Sequence, residues 1–309
     1  MNIKKLALRM FPGLYARLRG QKAYLDYYRR KHTRPDQIPK ILEKRYYEIT
    51  GHRMDMQHPR TYSEKLQWLK LYDPSPDRSR LADKVAVRDW VREQIGEEYL
   101  IPLLGVYERF EDIDFDSLPE RFVIKTNHSS GWNIIVKDKA DFDRVAAGKK
   151  VKRWLSTDFA YWKDFELHYS AIPPKILIEP YLEDKNGELR DYKFLCFDGE
   201  VKYVWVDFDR YSGHKRNIYD MDWKLQPWNQ NTYGNYQGEV PPPENFELMK
   251  QIAKKLCQGF IHVRVDLFNV DGKIYFGEMT FTSESGIGRL YPYEYETEIG
   301  KLIKLPIED

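Results

Sequence analysis

The sequence predicts an α+β fold in which antiparallel β-hairpins alternate with helices. Two hairpins are marked by Asp198-Gly199 and Asp271-Gly272, turn dipeptides flanked by runs rich in β-branched and aromatic residues. A third pair of short apolar runs, 122–124 and 134–136, encloses a small polar loop. Helical periodicity appears between the hairpins, as in residues 244–258. These patterns together favour mixed helices and antiparallel sheets.

The composition excludes several classes of protein. The chain of 309 residues is 42% hydrophobic and contains no apolar run of about 18 residues, so we expect no membrane-spanning helix. Two cysteines, Cys196 and Cys257, are too few for a disulfide framework and favour a reducing compartment, the cytoplasm. The net charge of +2 argues against a dedicated nucleic-acid-binding protein.

Residues 1–34 differ in charge from the rest of the chain. They contain ten basic residues and one acidic residue, a net charge of +9. An apolar helix face repeats every four residues at Leu6, Met10, Leu14 and Leu18. Pro12 interrupts this segment and predicts two short helices. Either the segment lies on an anionic membrane, at the inner face of the cytoplasmic membrane, or it packs on the protein with a solvated basic face.

Two further segments carry predictions about local structure. Thr61 and Glu64 predict a capping box for a helix that continues to Tyr72. Residues 81–95 form the clearest helix, which Asp83-Lys84 would open. A lysine in a first helical turn opposes the helix dipole, so we expect either a salt bridge or an anionic ligand at Lys84.

Other stretches predict surface features and a substrate loop. Residues 111–118 predict an acidic surface loop. Residues 141–156 predict a helix with an inward face formed by Phe142, Val145, Val151 and Trp154. Residues 209–243 predict a long loop, and loops of this length are often functional. Its aromatic residues and His214-Lys215-Arg216 suit an anionic sugar.

The first hairpin has the composition of a phosphate site. Lys125 ends its first strand, and Ser129, Ser130 and Gly131 follow in the loop. Small residues and a glycine allow backbone N–H groups to turn toward an anion, while lysines supply point charges. The alternative is an ordinary hairpin whose lysines are solvated.

The last hairpin carries two carboxylates inside apolar strands. Asp266 and Glu278 would be costly there without partners. Carboxylates on paired strands are natural ligands for Mg²⁺. The alternative is that Arg264 and other cations neutralise them structurally. Lysines on one hairpin and carboxylates on another describe a nucleoside-triphosphate site, although no Walker A motif and no kinase catalytic motif occurs.

From Pro59 to Tyr293 the chain resembles the ATP-grasp superfamily, and within it the TupA-like group associated with bacterial surface polysaccharides. The resemblance rests on several motifs: 59–70, Asp83-Lys84 with Arg88, Gly96 to Leu103, Phe122 to Lys125, Ser129 to Gly131, Ile178 to Tyr181, Asp191 to Phe194, and Asp266 with Glu278.

The resemblance implies an ATP-grasp fold with two α+β subdomains that grip ATP between antiparallel sheets, preceded by a helical N-terminal segment. It divides the chain into a basic helical segment (1–58), a pre-ATP-grasp region (59–120), a small lid subdomain (121–182) and a large metal-binding subdomain (183–309).

The resemblance also implies roles for individual residues. Lys84 and Lys125 would contact ATP phosphates under a flap formed by Ser129, Ser130 and Gly131. Glu179 and Tyr181 would lie at the adenine hinge, and Glu183 at the ribose. The Mg²⁺ ligands would be Asp266, Glu278 and Thr280, where many relatives have Asn in place of Thr. By charge and position, Arg264, Lys193 and Arg289 are candidate catalytic residues that contact the substrate or an acyl phosphate.

The chemistry implied is amide formation from a carboxylate and an amine through an acyl phosphate, with ATP and Mg²⁺ as cofactors. The carboxylate or amine would belong to a bacterial surface polysaccharide or its precursor. Three alternatives stay open: a sugar kinase, a non-catalytic binding module, and a glycosyltransferase. A glycosyltransferase would use a metal-binding Asp-x-Asp such as Asp207-Phe-Asp209, but this pattern recurs four times elsewhere in the chain.

Overall fold

The computed structural model describes residues 12–73, 75, 77–187, 189–208, 214–230 and 233–307, with side chains from residue 20 onward. The helices in these residues are α1 (Pro12–Lys31), α2 (Ile38–Thr50), α3 (Tyr62–Tyr72), α4 (Arg78–Ala82), α5 (Val87–Ile95), α6 (Arg144–Leu155), α7 (Phe159–Trp162), α8 (Phe246–Leu256) and α9 (Glu294–Gly300). The strands are β1 (Gly105–Tyr107), β2 (Phe122–Thr126), β3 (Asn133–Val136), β4 (Ile176–Pro180), β5 (Asp191–Phe197), β6 (Glu200–Phe208), β7 (Lys215–Asp220), β8 (Asn229–Gln230), β9 (His262–Val270), β10 (Lys273–Thr280) and β11 (Leu290–Tyr291).

Two antiparallel sheets organise the fold. The first has the strand order β1-β4-β2-β3, and the second has the order β10-β9-β5-β6-β7. The short strands β8 and β11 form a separate pair. The three predicted hairpins are β2–β3, β5–β6 and β9–β10. The predicted α+β class is therefore confirmed.

One face of the five-stranded sheet is apolar at one end of its strands and charged at the other. Alternation places Phe194 on the face that α8 covers, through residues such as Met249 and Ile252. On the opposite face Leu195 and Trp205 pack under α3 and α9. Further along the same face the side chains become charged, including Lys193 and Asp266, and this part borders the first sheet.

Helix α3 begins as predicted. Thr61 accepts a hydrogen bond from the backbone N–H of Glu64, and the Glu64 carboxylate accepts one from the backbone N–H of Thr61, which completes a capping box. The buried Glu296 carboxylate accepts hydrogen bonds from the backbone N–H and hydroxyl of Ser63. Helix α3 is thereby fixed against the C-terminal part of the chain.

The N-terminal prediction needs correction. Helix α1 begins at Pro12, a residue suited to a first helical position, but it runs for 20 residues and is not short. Of the predicted face, Leu6 and Met10 lie outside the described residues, and Leu14 and Leu18 lie in α1 before the residues whose side chains are described. Near its end, the Arg30 guanidinium donates hydrogen bonds to the backbone oxygens of Tyr161 (2.6 Å) and Trp162 (3.1 Å). This part of the basic segment packs on the protein.

Three further predictions are wrong in part. Residues 209–243 are not a long loop, because β7 joins the five-stranded sheet beside β6 and β8 pairs with β11. The predicted acidic surface loop buries Ile113 and Phe115, whose apolar side chains outweigh the polarity of their neighbours. In α6, Val151 and Trp154 are buried as predicted, whereas Val145 is exposed.

The predicted domain boundaries stay a proposal. Strand β1, in the region assigned before the lid subdomain, pairs with β4 and so belongs to the same sheet as β2 and β3. Cys196 and Cys257 are both buried, as expected for small core residues. Among the described helices, none is both long and apolar enough to cross a membrane.

Candidate active site

Two adjoining cavities lie between the four-stranded and the five-stranded sheet. The first has a volume of about 340 Å³ and the second about 490 Å³. Lys125 and Asn133 from the first sheet, with Asp207 and Phe268 from the second, line both cavities. The two cavities therefore meet along one boundary and form a single cleft. We name them the apolar cavity and the polar cavity.

Aliphatic and aromatic side chains from both sheets line most of the apolar cavity, including Val123, Ile135 and Phe208. Glu179 and Tyr181, the predicted hinge residues, lie on its wall. Glu179 is buried, and its carboxylate accepts a 2.5 Å hydrogen bond from Lys125. An apolar cavity bordered by a buried carboxylate suits a heteroaromatic ring with polar edges.

The predicted ribose residue lies near this wall but outside the residues that line the cavity. The Glu183 carboxylate pairs with Arg121 at 2.5 Å. The Arg121 guanidinium also lies 5.2 Å from the ring centre of Tyr181, and Lys137 lies 5.8 Å from it. Glu183 is therefore connected to the hinge through Arg121.

The residues predicted to bind phosphate and metal line the polar cavity. Its lining includes Lys84, Lys125, Ser129, Ser130, Gly131, Lys193, Arg264, Asp266, Glu278 and Thr280. The first five come from the first sheet and from the turn before α5, and the others from β5, β9 and β10. Residues separated by up to 196 positions in the sequence thus face one space.

The polar loop of the first hairpin has a tight conformation. Gly131 has a φ of +74°, which a glycine adopts without strain. The hydroxyls of Thr126 and Ser129 hydrogen-bond at 2.5 Å, and both side chains are buried. Ser130 and Gly131 are exposed at the cavity. The loop is fixed at its base and open at its tip.

Lys84 reaches the cavity for a different reason than the sequence predicted. The predicted helix 81–95 is interrupted, because the Asp83 carboxylate accepts hydrogen bonds from the backbone N–H groups of Val85 (2.8 Å) and Ala86 (3.3 Å). Lys84 lies in the resulting turn, so the helix-dipole argument does not apply to it. Its ammonium donates to the backbone oxygen of Ser129 and lies 3.5 Å from Glu278.

Asn127, which the sequence analysis missed, holds this turn against the hairpin loop. Its amide donates to the Asp83 carboxylate at 2.9 Å and to the backbone oxygen of Pro173 at 3.0 Å. Its side-chain oxygen accepts a 2.6 Å hydrogen bond from the backbone N–H of Lys175. One buried amide therefore connects three segments that approach the phosphate loop.

Asp266 and Glu278 are direct partners in the β9–β10 register. The Arg264 guanidinium donates to both oxygens of Asp266, at 2.6 and 2.7 Å, and Lys193 donates to the same carboxylate at 3.1 Å. Glu278 accepts from the Thr280 hydroxyl at 3.0 Å and from Arg264 at 3.4 Å. The structural alternative, in which Arg264 neutralises these carboxylates, describes the contacts that are present.

The pKa values of Glu278 and Asp266 shift in opposite directions. Burial acts to raise the pKa of Glu278, but Lys84 and Arg264 outweigh it and lower that pKa to about 2. Burial raises the pKa of Asp266 above its usual value, although Arg264 and Lys193 oppose the rise. Glu278 is therefore ionised at neutral pH, and an additional cation beside Asp266 would stabilise its charged form.

The donor set fits Mg²⁺ in its chemistry. Asp266, Glu278 and Thr280 offer hard oxygen donors at neighbouring positions. Within the described part of the chain, no cluster of three His, Cys, Asp or Glu side chains is arranged to hold a metal. Arg264 and Lys193 occupy the carboxylate oxygens, so an Mg²⁺ ion at this place would share those oxygens with protein cations.

A second charged network adjoins the metal residues. Lys193 also contacts Asp191 and lies 3.8 Å from Asp207. Arg216 forms a bidentate pair with Asp207 at 2.6 and 3.0 Å and donates to Gln230 at 2.7 Å. Burial opposes the ionisation of Asp207, but Arg216 lowers its pKa well below the usual range. The sequence places Arg216 in a predicted substrate loop, and its pairing with Asp207 was not predicted.

Arg289 is not among the residues that line either cavity. Its guanidinium donates to the backbone oxygen of Thr50 at 3.4 Å. The other two candidate catalytic residues, Arg264 and Lys193, line the polar cavity. The structure therefore places two of the three cationic candidates at the cleft.

The sequence matches the family model described as TupA-like ATP-grasp over residues 64–304. No curated protein matches the sequence. Among solved structures, D-alanine–D-alanine ligase from Bacillus anthracis complexed with ATP is 17% identical, with a TM-score of 0.38 over 65% of this chain and 54% of that chain. D-alanine–D-alanine ligase from Helicobacter pylori is 12% identical, with a TM-score of 0.39 over 79% and 69%. Phosphoribosylamine–glycine ligase from Thermotoga maritima is 13% identical, with a TM-score of 0.40 over 67% and 49%.

The alignment with the first of these structures spans about half of that ligase. The family match is broader with respect to this chain, since it includes both sheets and most of the residues that line the two cavities. On that match, the chain belongs to the TupA-like ATP-grasp family.

Proposed function

We propose that the chain is an ATP- and Mg²⁺-dependent ligase that joins a carboxylate to an amine through an acyl phosphate. The observation that carries this proposal is the meeting of the two cavities at Lys125. An apolar cavity with a buried carboxylate at its wall opens directly into a polar cavity with lysines, a small-residue loop and paired carboxylates. This order of surfaces matches the order of base and phosphates in ATP.

The roles proposed for individual residues follow from their positions. Glu179 and Tyr181 hold the adenine, and Glu183 is assigned to the ribose. Lys84 and Lys125 bind phosphates, while the loop of Ser129, Ser130 and Gly131 covers them. Asp266, Glu278 and Thr280 would hold Mg²⁺, which would offset charge on the transferring phosphoryl group when bound. Arg264 and Lys193 contact the carboxylate substrate as it is phosphorylated.

The proposed chemistry needs positioning and charge compensation rather than a protein nucleophile. The carboxylate attacks the γ-phosphate, ADP leaves, and an amine then displaces phosphate from the acyl phosphate. We assign the substrates to a bacterial surface polysaccharide or its precursor. The basic side chains of Arg216 and His214 line the polar cavity, where they suit an anionic sugar.

A coupled assay of ADP release tests the ligase against its rivals. Glucuronate and galacturonate serve as carboxylates, and glucosamine serves as the amine. ADP release that requires both supports the ligase. Release with the sugar alone, together with a stable sugar phosphate, would identify a kinase. ATP binding without release of ADP under any of these conditions would favour a binding module.

A glycosyltransferase is disfavoured by the state of its best motif. Asp207 of Asp207-Phe-Asp209 has both carboxylate oxygens bound to Arg216. Asp209 lies outside the described residues. A carboxylate held by a bidentate guanidinium is poorly available to a metal on a nucleotide sugar.

We also propose that the basic N-terminal segment holds the enzyme at an anionic membrane. On α1, Leu25 and Tyr28 are exposed beside exposed Lys22 and Arg29, whereas Arg30 is engaged with the protein. Basic residues near an anionic surface contribute about 1 kcal/mol each. A chain that lacks residues 1–19 and carries Lys22→Glu and Arg29→Glu keeps Arg30 in place, so its sedimentation with anionic and with neutral vesicles tests this proposal. Equal sedimentation of this variant and the full wild-type chain would contradict it.

A further inference from the structure

Glu166 is a buried carboxylate on the wall of the polar cavity. Its side chain is 6% exposed, and it lines the same space as Glu278 and Thr280. One of its oxygens, Oε1, accepts a hydrogen bond from the hydroxyl of Thr282, which follows β10. The other oxygen, Oε2, has no hydrogen-bond donor among the described residues. Glu166 thus presents an available carboxylate oxygen close to the proposed phosphate site.

The other carboxylates buried at this cavity have cationic partners, and Glu166 does not. Asp191, Asp207 and Asp266 are paired with Lys193, Arg216 and Arg264, respectively. Glu166 forms no ion pair with a described residue, and its nearest partner is a neutral hydroxyl. Lys70, Lys163 and Arg78 act on its charge only from beyond ion-pair distance, and Tyr169 and Asp164 also interact with it. Direct contact with a cation is therefore left to a ligand.

Glu166 is held between two unusual turns. Asp164 and Phe165, directly before it, have φ values of +41° and +64°, and Glu284 and Ser285 have values of +50° and +54°. Such conformations are strained in residues other than glycine and persist only where surrounding contacts enforce them. Two consecutive left-handed residues in each turn indicate that the chain here is constrained by its neighbours.

Helix α3 supplies those contacts. The buried ammonium of Lys70 donates to the backbone oxygens of Asp164 (2.9 Å) and Ser285 (3.0 Å). The Gln67 amide also donates to the oxygen of Ser285, at 2.9 Å. Lys70 therefore connects the turn before Glu166 to the turn after Thr282 and fixes the two side chains relative to each other. This gives a physical role to the motif at 59–70, which has no contact with the proposed ATP site.

The groups around Glu166 leave its charge undercompensated. Burial raises the pKa of Glu166 to about 7, and the charge of Asp164 acts in the same direction. Thr282, Lys70 and Lys163 oppose this rise without cancelling it. A carboxylate that titrates near neutral pH can exchange a proton with a substrate at the working pH.

We propose that Glu166 binds the amine substrate as its ammonium form and accepts its proton. The amine is a primary amine that enters the polar cavity between Glu166 and the acyl phosphate. This inference rests on the proposed ligase function and extends it to the residue that receives the second substrate. Lys70 and Gln67 are positioning residues, because they act on Glu166 through the two turns.

The ammonium transfers one proton to a carboxylate oxygen of Glu166, and the neutral nitrogen attacks the carbonyl carbon of the acyl phosphate. A C–N bond forms, and the bond between that carbon and the phosphate oxygen breaks, with its electron pair leaving on phosphate. The second proton of the nitrogen leaves with phosphate, and Glu166 returns its proton to solvent.

Calorimetric titration of amines into the full chain tests the proposal without knowledge of the carboxylate. The protein is first saturated with Mg²⁺ and a non-hydrolysable ATP analogue. Glucosamine and methylamine are then titrated, with N-acetylglucosamine as the neutral control. The variants are Glu166→Gln, Thr282→Val and, as a matched control, Glu284→Gln, which removes an exposed carboxylate from the rim of the same cavity.

We expect the wild-type protein to bind at least one amine and not N-acetylglucosamine. Glu166→Gln should bind the ATP analogue normally and weaken amine binding at least about tenfold. Amine affinity should rise with pH through about pH 7 in the wild type, because Glu166 ionises there. The midpoint should move upward in Thr282→Val, which loses a donor to the carboxylate, while Glu284→Gln should resemble the wild type.

Two results would overturn the proposal. The first is wild-type protein that binds the ATP analogue but neither amine, which leaves the proposed ATP site intact. The second is amine binding by Glu166→Gln at wild-type affinity. Failure to bind the ATP analogue would instead contradict the proposed ligase function itself.

Discussion

Replacement of Glu166 by glutamine should stabilise the protein relative to the wild type at neutral pH, and this gain should disappear at acidic pH. Glu166 is 6% exposed, and its pKa rises from 4.5 in the unfolded chain to about 7 in the folded protein. The folded state therefore holds an extra proton between these pH values, and stability falls as pH rises through this range. Above about pH 7 the folded protein bears the full free-energy cost of ionising Glu166, and below the unfolded pKa of 4.5 it bears none of that cost.

The size of the effect follows from the shift. A rise in the pKa of Glu166 from 4.5 to about 7 corresponds to about 3 kcal/mol. Glutamine stays neutral and keeps an oxygen that can accept the Thr282 hydrogen bond, so Glu166→Gln removes this cost. For a chain of 309 residues the unfolding entropy is about 0.65 kcal/mol/K, so the expected gain is about 5 °C in Tm.

Thermal unfolding of both proteins at about pH 4.5 and about pH 7.5, followed by tryptophan fluorescence, measures this difference. The Tm of Glu166→Gln minus that of the wild type should increase by about 5 °C between the two pH values. Lys70, whose pKa burial lowers to about 8, contributes its pH dependence mainly above this window. An equal difference at the two pH values, or a larger loss of stability in the variant at the higher pH, would refute the electrostatic account of Glu166.

Other substitutions test separate parts of the structure. Gly131→Ala should destabilise the protein by about 1 kcal/mol in urea unfolding, because its φ of +74° strains any other residue even though the space is open; no loss would contradict the assigned loop conformation. Gly20→Ala, in helix α1 with open space around it, is the control and should stabilise by up to about 1 kcal/mol. Arg216→Met should cost about 3–5 kcal/mol in the same assay, because it leaves the buried Asp207 charge without its bidentate partner; a cost under about 1 kcal/mol would show that this pair is not buried as described.

The sequence predicts best where a local rule and the final structure agree. The capping box of Thr61 and Glu64 forms as expected, because its two hydrogen bonds join residues three positions apart. The Asp198-Gly199 and Asp271-Gly272 turns join the predicted strands for the same reason, since positive φ at these dipeptides is a local property.

Predictions failed where a distant contact outweighs a local preference. Residues 81–95 have the periodicity of one helix, but Asp83 caps the chain internally and bonds to Asn127, 44 positions away. Arg216 occupies a stretch rich in loop-forming residues, yet pairing with β6 makes it part of a strand. Glu166 gave no pattern in the sequence, because its significance depends on Thr282 and Lys70, which approach only in the folded protein.

Thermal stabilisation by ATP and Mg²⁺ tests the central claim, an ATP site between the two sheets, most directly. The proteins are the wild type, Lys84→Met and Asp266→Asn, each compared with its own Tm without ligand and with UDP-glucose, which lacks a carboxylate, as the alternative ligand. ATP at about 100 times its Kd adds about 2.7 kcal/mol, which is about 4 °C for this chain. We expect this shift for the wild type, a much smaller shift for both variants, and none with UDP-glucose. A shift with UDP-glucose alone, or an ATP shift unchanged in both variants, would contradict an ATP site between the sheets.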